Sequence, residues 1–139
     1  MVQLVVGQKG KGKTTEILGR ANEEIRNATG SIVFLDKDRQ HMYELNNKIR
    51  LIDVSAFPIT NCDEFVGFVC GIFSQDHDLQ TMYIDGFMKC AKLVGKDVTD
   101  TILKLDKAST MFNVNVVISL ALDREELPEA IQDKIFISL

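Results

Sequence analysis

A segment rich in glycine and lysine near the start of the chain constrains the fold more than any other feature. Its residues follow the spacing G-x-x-x-x-G-K-[ST], and they are Gly7, Gln8, Lys9, Gly10, Lys11, Gly12, Lys13 and Thr14. The apolar residues 2–6 before the segment predict a buried strand, and an amphipathic helical pattern begins at Thr14. The sequence therefore predicts a strand, a glycine-rich loop and a helix in direct succession.

This succession is typical of a phosphate-binding loop, or P-loop. The first turn of a helix presents unpaired N–H groups and the positive end of the helix dipole, and glycines let the preceding backbone wrap its amides around an anion. We expect Lys13 to reach the β- and γ-phosphates of a nucleoside triphosphate and the Thr14 hydroxyl to ligate Mg²⁺. The predicted nucleotide-binding segment extends from Gly7 to Thr15, with the side chains of Lys9 and Lys11 pointing to solvent.

The length and the charge of the chain narrow the classes of protein to which it can belong. Its 139 residues predict a single domain, and its 45% apolar residues are ordinary for a globular protein. No apolar run is long enough to span a bilayer and no signal peptide is visible before the first strand, so we expect a cytoplasmic protein. The net charge of −4, without a basic tail, disfavours nucleic-acid binding.

The cysteines and histidines form no ligand pattern in the sequence. Cys62, Cys70 and Cys90 match no zinc or CxxC spacing, and their odd number provides no disulfide framework, so we expect reduced, packed thiols. His41 and His77 are isolated from each other and from the cysteines. The sequence therefore favours a surface or core histidine over a metal ligand at both positions.

Apolar runs alternate with helical patterns along the rest of the chain, which predicts an α/β fold with a mostly parallel central sheet. The predicted strands are 2–6, 32–35, 49–54, 82–85, 114–122 and 135–137. Helices are predicted from Thr14 to a stop at Gly30, over 62–74 behind a capping box of Asn61 and Glu64, over 97–112, and from a cap of Asp123 and Glu126 to about 132. A short helix is also predicted over 38–47, and residues 87–96 are ambiguous.

A P-loop enzyme needs a second carboxylate, which holds Mg²⁺ through water from the end of an apolar strand. Asp85, after Tyr83 and Ile84, is the best candidate, because it would emerge at the same edge of the sheet as the P-loop. The predicted metal residues are therefore Thr14 and Asp85. The alternative is an ordinary turn, since Asp85 and Gly86 together are typical turn residues.

The residue that orients the attacking water is marked less clearly. Gly86 occupies the place after Asp85 where many ATPases carry a catalytic glutamate. Asp36 and Asp38, at the end of the second strand, are the candidates for that role, with helix capping as the alternative. Ser119 is either a sensor of the γ-phosphate or, as the sequence favours, a hydroxyl bonded to neighbouring backbone.

The order of these elements resembles the RecA-like core of P-loop NTPases over nearly the whole chain, with residues 7–14 as Walker A and Asp85 as Walker B. The resemblance implies a three-layer α/β/α sandwich with the sheet order 49–54, 32–36, 81–85, 114–121, 2–6, 134–138. A RecA-type recombinase carries its catalytic glutamate just after the second strand, which implies a catalytic role for Asp38 beside that of Lys13. The chain is also similar to short bacterial ATP-binding proteins, some of which are labelled twitching-motility ATPases.

These features predict an ATP-binding protein with slow or partner-stimulated, Mg²⁺-dependent hydrolysis. A non-hydrolysing nucleotide-sensing module is an alternative that the sequence does not separate from it. A GTPase is disfavoured, because N/T-K-x-D is absent and residues 85–88 break the D-x-x-G pattern. A small-molecule kinase has little room for an arginine-rich lid. Arg124 is favoured as a surface residue, so we expect any arginine finger to come from an unknown protein partner or from a second copy of the chain.

Overall fold

Six parallel strands form one sheet at the centre of the protein in a computed structural model that describes residues 1–139. They are β1 (Val2–Val6), β2 (Ser31–Asp36), β3 (Arg50–Asp53), β4 (Leu79–Ile84), β5 (Asn115–Leu120) and β6 (Ile135–Ser138). Their order across the sheet is β3-β2-β4-β5-β1-β6, and each neighbouring pair is parallel. This is the order that the resemblance implies, and the sheet is parallel throughout.

Helices follow most of the strands, as the alternating pattern predicts. They are α1 (Lys13–Ile25), α2 (Cys62–Gln75), α3 (Phe87–Cys90), α4 (Thr99–Phe112) and α5 (Glu129–Gln132). Single 3-10 turns lie at Met42–Glu44, Val54–Ala56 and Arg124–Glu126. No helix has the length and apolar character that crossing a bilayer requires.

The two faces of the sheet are covered by different helices. On one face, α1 packs Ile17, Leu18 and Ala21 against a cluster that includes Val5 and Phe34. On the other face, the buried side chains of α2 and α4 join a larger cluster with Leu4, Val6, Leu35 and Ile84. Successive residues of β1 and β2 alternate between the clusters, because side chains of a strand point to opposite faces in turn. The arrangement is consistent with the predicted three layers.

The first helix ends earlier than the sequence predicts, and the prediction that Gly30 stops it is wrong. Helix α1 ends at Ile25, and Gly30 lies just before β2 against the backbone of Asp78. A Cβ atom at Gly30 would lie 2.1 Å from the carbonyl oxygen of Asp78. The glycine is therefore required by close approach of two backbone segments and not by a helix end.

The helix predicted over 38–47 is also wrong, since only the 3-10 turn at Met42–Glu44 forms there. The side chain of Asp38 accepts a hydrogen bond from the backbone N–H of Gln40 at 2.9 Å, and that of Asn46 accepts one from Lys48 at 2.9 Å. These local bonds compete with a helix for the same donors.

The predicted caps are present with one change. Asn61 accepts from the backbone N–H of Glu64 at 2.9 Å, but the Glu64 carboxylate accepts from Thr60, one residue before the cap. At the other cap, the backbone N–H of Asp123 donates to the Glu126 carboxylate at 3.0 Å. The helix predicted behind Asp123 is split into a 3-10 turn and α5 at Pro128, whose ring has no N–H to donate.

Candidate functional site

The glycine-rich loop joins the carboxyl end of β1 to the first residue of α1. Gly10 and Gly12 have φ angles of 88° and 92°, in the left-handed region that favours glycine. Residues 8–12 are all exposed, and within the loop the backbone N–H of Lys11 donates to the carbonyl oxygen of Gln8 at 3.2 Å. The side chains of Lys9 and Lys11 are exposed, as predicted.

Lys13 folds its side chain back over this loop. Its ammonium group donates to the carbonyl oxygen of Gln8 at 3.0 Å. Partial burial lowers the pKa of Lys13, and the negative charge of Asp85 opposes that shift. The ammonium group therefore lies between the loop and the acidic end of β4, where a phosphate chain on the loop would meet it.

Asp85 connects three segments of the chain at the carboxyl edge of the sheet. Its Oδ2 accepts a hydrogen bond from the Thr14 hydroxyl at 2.8 Å, and its Oδ1 accepts one from the Ser119 hydroxyl at 2.6 Å. Ser119 in turn accepts from the backbone N–H of Gly86 at 3.1 Å. The carboxylate is 3% exposed. The structure thus brings together Thr14 and Asp85, the two residues predicted to hold the metal.

The register of the sheet explains a row of polar side chains at this edge. Leu35 of β2 pairs with Ile84 of β4, and Ile84 pairs with Ile118 of β5. The next residue on each strand is therefore Asp36, Asp85 and Ser119, and these three lie side by side. Because side chains alternate, all three project from the face that carries α1, where Lys13 and Thr14 begin the helix.

Asp36 is the least satisfied member of this row. It is fully buried, its Oδ1 accepts from the backbone N–H of Lys37 at 2.7 Å, and its Oδ2 has no hydrogen-bond partner. Burial raises the pKa of Asp36 to about 6, the Lys37 N–H opposes that shift and the charge of Asp85 adds to it. A buried carboxylate oxygen loses its hydrogen bonds to water, and without a donor from the protein that loss is not compensated.

His41 approaches the two aspartates, which the sequence does not predict. One ligand atom from each of Asp36, His41 and Asp85 lies within 4.8 Å of the others. The Nδ1 atom of His41 pairs with the carboxylate of Glu44 at 2.5 Å. No spacing motif marks this histidine, because it reaches the site only through the loop that replaces the predicted helix over 38–47.

Asp38, predicted to be catalytic, lies outside that group. Its side chain is 45% exposed, and one of its oxygens is 3.9 Å from the ammonium group of Lys37. It contributes to the wall of a cavity of about 260 Å³ beside the site, where Lys37, Lys89 and Lys92 supply positive charge. Asp38 is not a member of the cluster of Asp36, His41 and Asp85, and its catalytic role stays a prediction.

The other side of the loop is held by the segment after β5. The Gln8 amide donates to Asp123 at 3.1 Å and to Glu126 at 2.6 Å. These bonds tie the exposed loop to the neighbouring 3-10 turn. Arg124, in that turn, is exposed, which agrees with its interpretation as a surface residue.

Comparison with known proteins adds no family to this geometry. A scan against protein-family models finds none that matches the chain, and a search of curated proteins finds no similar sequence. The function of the site therefore rests on the residues and distances described above.

Proposed function

We propose that the protein binds ATP with Mg²⁺ and hydrolyses it slowly, or faster with a partner. The observation that carries this proposal is the 2.8 Å hydrogen bond between Thr14 and Asp85, two residues separated by 71 positions. In a magnesium–triphosphate complex the hydroxyl ligates the ion and the carboxylate holds it through water. Their contact supports a common role, since an ion next to Thr14 would also face Asp85.

The phosphate chain would lie on the loop before α1. Left-handed glycines at 10 and 12 precede a helix of 13 residues, and the exposed residues 8–12 adjoin its positive end. The Lys13 ammonium group would exchange the carbonyl oxygen of Gln8, now 3.0 Å away, for phosphate oxygens. A charged acceptor forms the stronger bond, so nucleotide binding would favour that exchange.

Asp36 is better placed than Asp38 to act on water. It lies in the row with Asp85 and has an oxygen without a donor, whereas Asp38 is partly exposed and bonds to the backbone N–H of Gln40. Mg²⁺ keeps several of its waters, and one of these, or the attacking water, would donate to the free oxygen of Asp36. Asp36 would then orient that water beside the γ-phosphate.

We propose slow hydrolysis because we expect the arginine finger to come from outside the chain. Arg20, on α1, stacks on the ring of Phe136 with its guanidinium carbon 4.6 Å from the ring centre, and Arg124 is exposed at the surface. An arginine from a protein partner or a second copy would complete the site. We also propose the cytoplasm as the location, which suits the three free thiols.

A second candidate is transfer of the γ-phosphate to a small anionic acceptor. The cavity of about 260 Å³ lined by Asp38, Lys37, Lys89 and Lys92 favours it, because its three lysines would attract negative charge. The third candidate, a nucleotide sensor without turnover, differs from the first only in its rate.

Product analysis with radiolabelled ATP and GTP separates these candidates. We expect release of free phosphate from ATP with Mg²⁺, at a rate per chain that rises with protein concentration if a second copy supplies the arginine. Tight binding without phosphate release would favour the sensor, and label transferred to an added acceptor would favour the kinase. Failure of both nucleotides to bind at millimolar concentration would contradict all three.

A further inference from the structure

The loop between β2 and β3 brings a nitrogen ligand to the two buried aspartates. His41 has only 19% of its side chain exposed, although it lies in a loop. Asp36 and Asp85 adjoin it, 0% and 3% exposed. Water, the usual partner of such carboxylates, is largely excluded, so a cation is the partner that would best compensate them.

We propose that Asp36, His41 and Asp85 form a binding site for a divalent transition metal ion of the Zn²⁺ and Fe²⁺ class. The site shares Asp85 and Asp36 with the proposed nucleotide site, so an ion bound here would take the Asp36 oxygen that otherwise orients water, but all three of its ligands come from the chain. It therefore binds its ion without nucleotide.

The distances between the ligand atoms support the proposal. Zinc binds histidine nitrogen and carboxylate oxygen at about 2.0–2.2 Å, so two ligands of one ion are at most about 4.2 Å apart. The three groups already lie within 4.8 Å of one another. The separation therefore exceeds that limit by at most about 0.6 Å.

The unbonded oxygen of Asp36 supports a cation site independently of the distances between the ligand atoms. Its Oδ2 is buried and unbonded, in the residue that projects from the sheet beside Asp85. Two adjacent buried carboxylates repel each other, and a divalent ion between them removes the repulsion and balances both charges. Without an ion, the two carboxylates still repel each other and the oxygen of Asp36 still has no partner.

The types of ligand atom determine which metal ion the site prefers. Mg²⁺ prefers oxygen ligands and retains water, whereas an imidazole together with carboxylates suits zinc and iron. The Nδ1 atom of His41 is engaged by the Glu44 carboxylate, which leaves Nε2 as the nitrogen for the ion. A carboxylate behind a histidine is the usual support of a metal-bound imidazole, because it fixes the tautomer and raises basicity.

Three protein ligands leave coordination positions for water or for a phosphate oxygen. The hydroxyl of Thr14 bonds to Asp85, which is one of the three proposed ligands. The bound ion would therefore face the nucleotide site.

Cobalt is a suitable probe, because Co²⁺ takes the same ligands as Zn²⁺ and its visible absorption reports their nature. Nucleotide-free protein is titrated with Co²⁺, alone and against Mg²⁺. We expect one ion per chain, bands typical of oxygen and nitrogen ligands, and weak competition by Mg²⁺. Thiolate charge-transfer bands would place the ion on cysteine and overturn the proposal.

Variants of the two histidines provide a matched pair, since His77 is exposed and far from the group. His41→Ala should weaken Co²⁺ binding about 10- to 100-fold, Glu44→Gln should weaken it less, and His77→Ala should leave it unchanged. Equal affinity of His41→Ala and the parent would overturn the proposal.

Lys13→Ala separates the two proposals. It should weaken ATP binding about 10- to 100-fold and leave Co²⁺ binding unchanged. If the parent fails to bind ATP but binds Co²⁺ in a manner that depends on His41, the proposed function fails and the metal site stands. If ATP binds and Co²⁺ does not, the metal site fails alone.

Discussion

Thr14 at the start of α1 and Asp85 at the end of β4 are joined by a hydrogen bond of 2.8 Å. The two residues meet because β1 and β4 run parallel, with β5 between them, and end at the same edge of the sheet. Ser119 of β5 holds the other oxygen of the carboxylate at 2.6 Å. Asp85 is therefore fixed before any ligand arrives, which limits the entropy that metal binding costs.

Asp85→Asn should weaken the Mg²⁺-dependent part of ATP binding about tenfold or more. The amide is neutral and keeps an oxygen for one of the two hydroxyl donors, so the fold should survive while the attraction for the hydrated ion is lost. Fluorescent ATP is titrated with Mg²⁺ and again with a chelator. Asp38→Asn serves as the matched control, and equal losses in both variants would contradict the role of Asp85.

Ser119→Ala should destabilise the protein by about 1–3 kcal/mol, because the change leaves the backbone N–H of Gly86 and one oxygen of Asp85 without a partner. The free energy of unfolding is measured by urea denaturation. The control is Ser74→Ala, whose exposed hydroxyl bonds only within α2 and should change stability by less than about 0.5 kcal/mol. Similar values for the two variants would show that the bonds around Asp85 contribute little.

Asp36 should lower the stability of the ligand-free protein as pH rises. Its folded pKa is about 6, above the value of 3.8 for the free group, so between these values the folded state binds more protons than the unfolded state. Asp36 does not affect the free energy of unfolding below about pH 4. Above about pH 6 its effect is complete, and it lowers the free energy of unfolding by about 3 kcal/mol.

Asp36→Asn should therefore unfold at higher urea concentration than the parent at pH 7.5, and the difference should shrink towards pH 4.5. Parent and variant are compared by urea denaturation in chelator at both pH values. A variant that is less stable at pH 7.5, with the same pH dependence as the parent, would contradict the burial of an unsatisfied carboxylate.

Two glycine substitutions should change stability in opposite directions. Gly30→Ala forces a Cβ atom to 2.1 Å from the carbonyl oxygen of Asp78, so a backbone segment must shift, at a cost of about 1–3 kcal/mol. Gly19→Ala, in the exposed part of α1, meets nothing within 4 Å and should add about 0.5–1 kcal/mol. Thermal unfolding of both variants measures the difference, and a stabilised Gly30→Ala would contradict the close approach.

The loop, the strands and Asp85 were predictable because each depends on short-range pattern, whereas the strand order was implied only by the resemblance to the RecA-like core. Glycine spacing marks the loop, apolar runs mark the strands, and an acidic residue after such a run marks the sheet edge. The choice between Asp36 and Asp38 was open, because it depends on where β2 ends. Asp36 is the last residue of that strand and keeps its place in the row, whereas Asp38 has already turned away with Gln40.

His41 and the end of α1 show what the sequence does not encode locally. His41 reaches Asp36 only because Asp38 and Asn46 bond to nearby backbone and prevent a helix over 38–47. Gly30 has the appearance of a helix stop, but its role is set by Asp78, on a distant segment. The bonds of Asp38 and Asn46 are local, but the approach of His41 to Asp85 and the contact of Gly30 with Asp78 join positions far apart in the sequence, which no periodicity or cap indicates.

The central claim is that the loop before α1 and the ammonium group of Lys13 hold a triphosphate. Calorimetric titration of ATP with Mg²⁺ into the ligand-free protein tests it most directly, with Lys13→Ala compared against Lys11→Ala, whose side chain is exposed in the same loop. We expect one site per chain, a loss of about 10- to 100-fold in Lys13→Ala and little change in Lys11→Ala. Binding of ATP by Lys13→Ala with the affinity of the parent, or no binding by the parent itself, would contradict the claim.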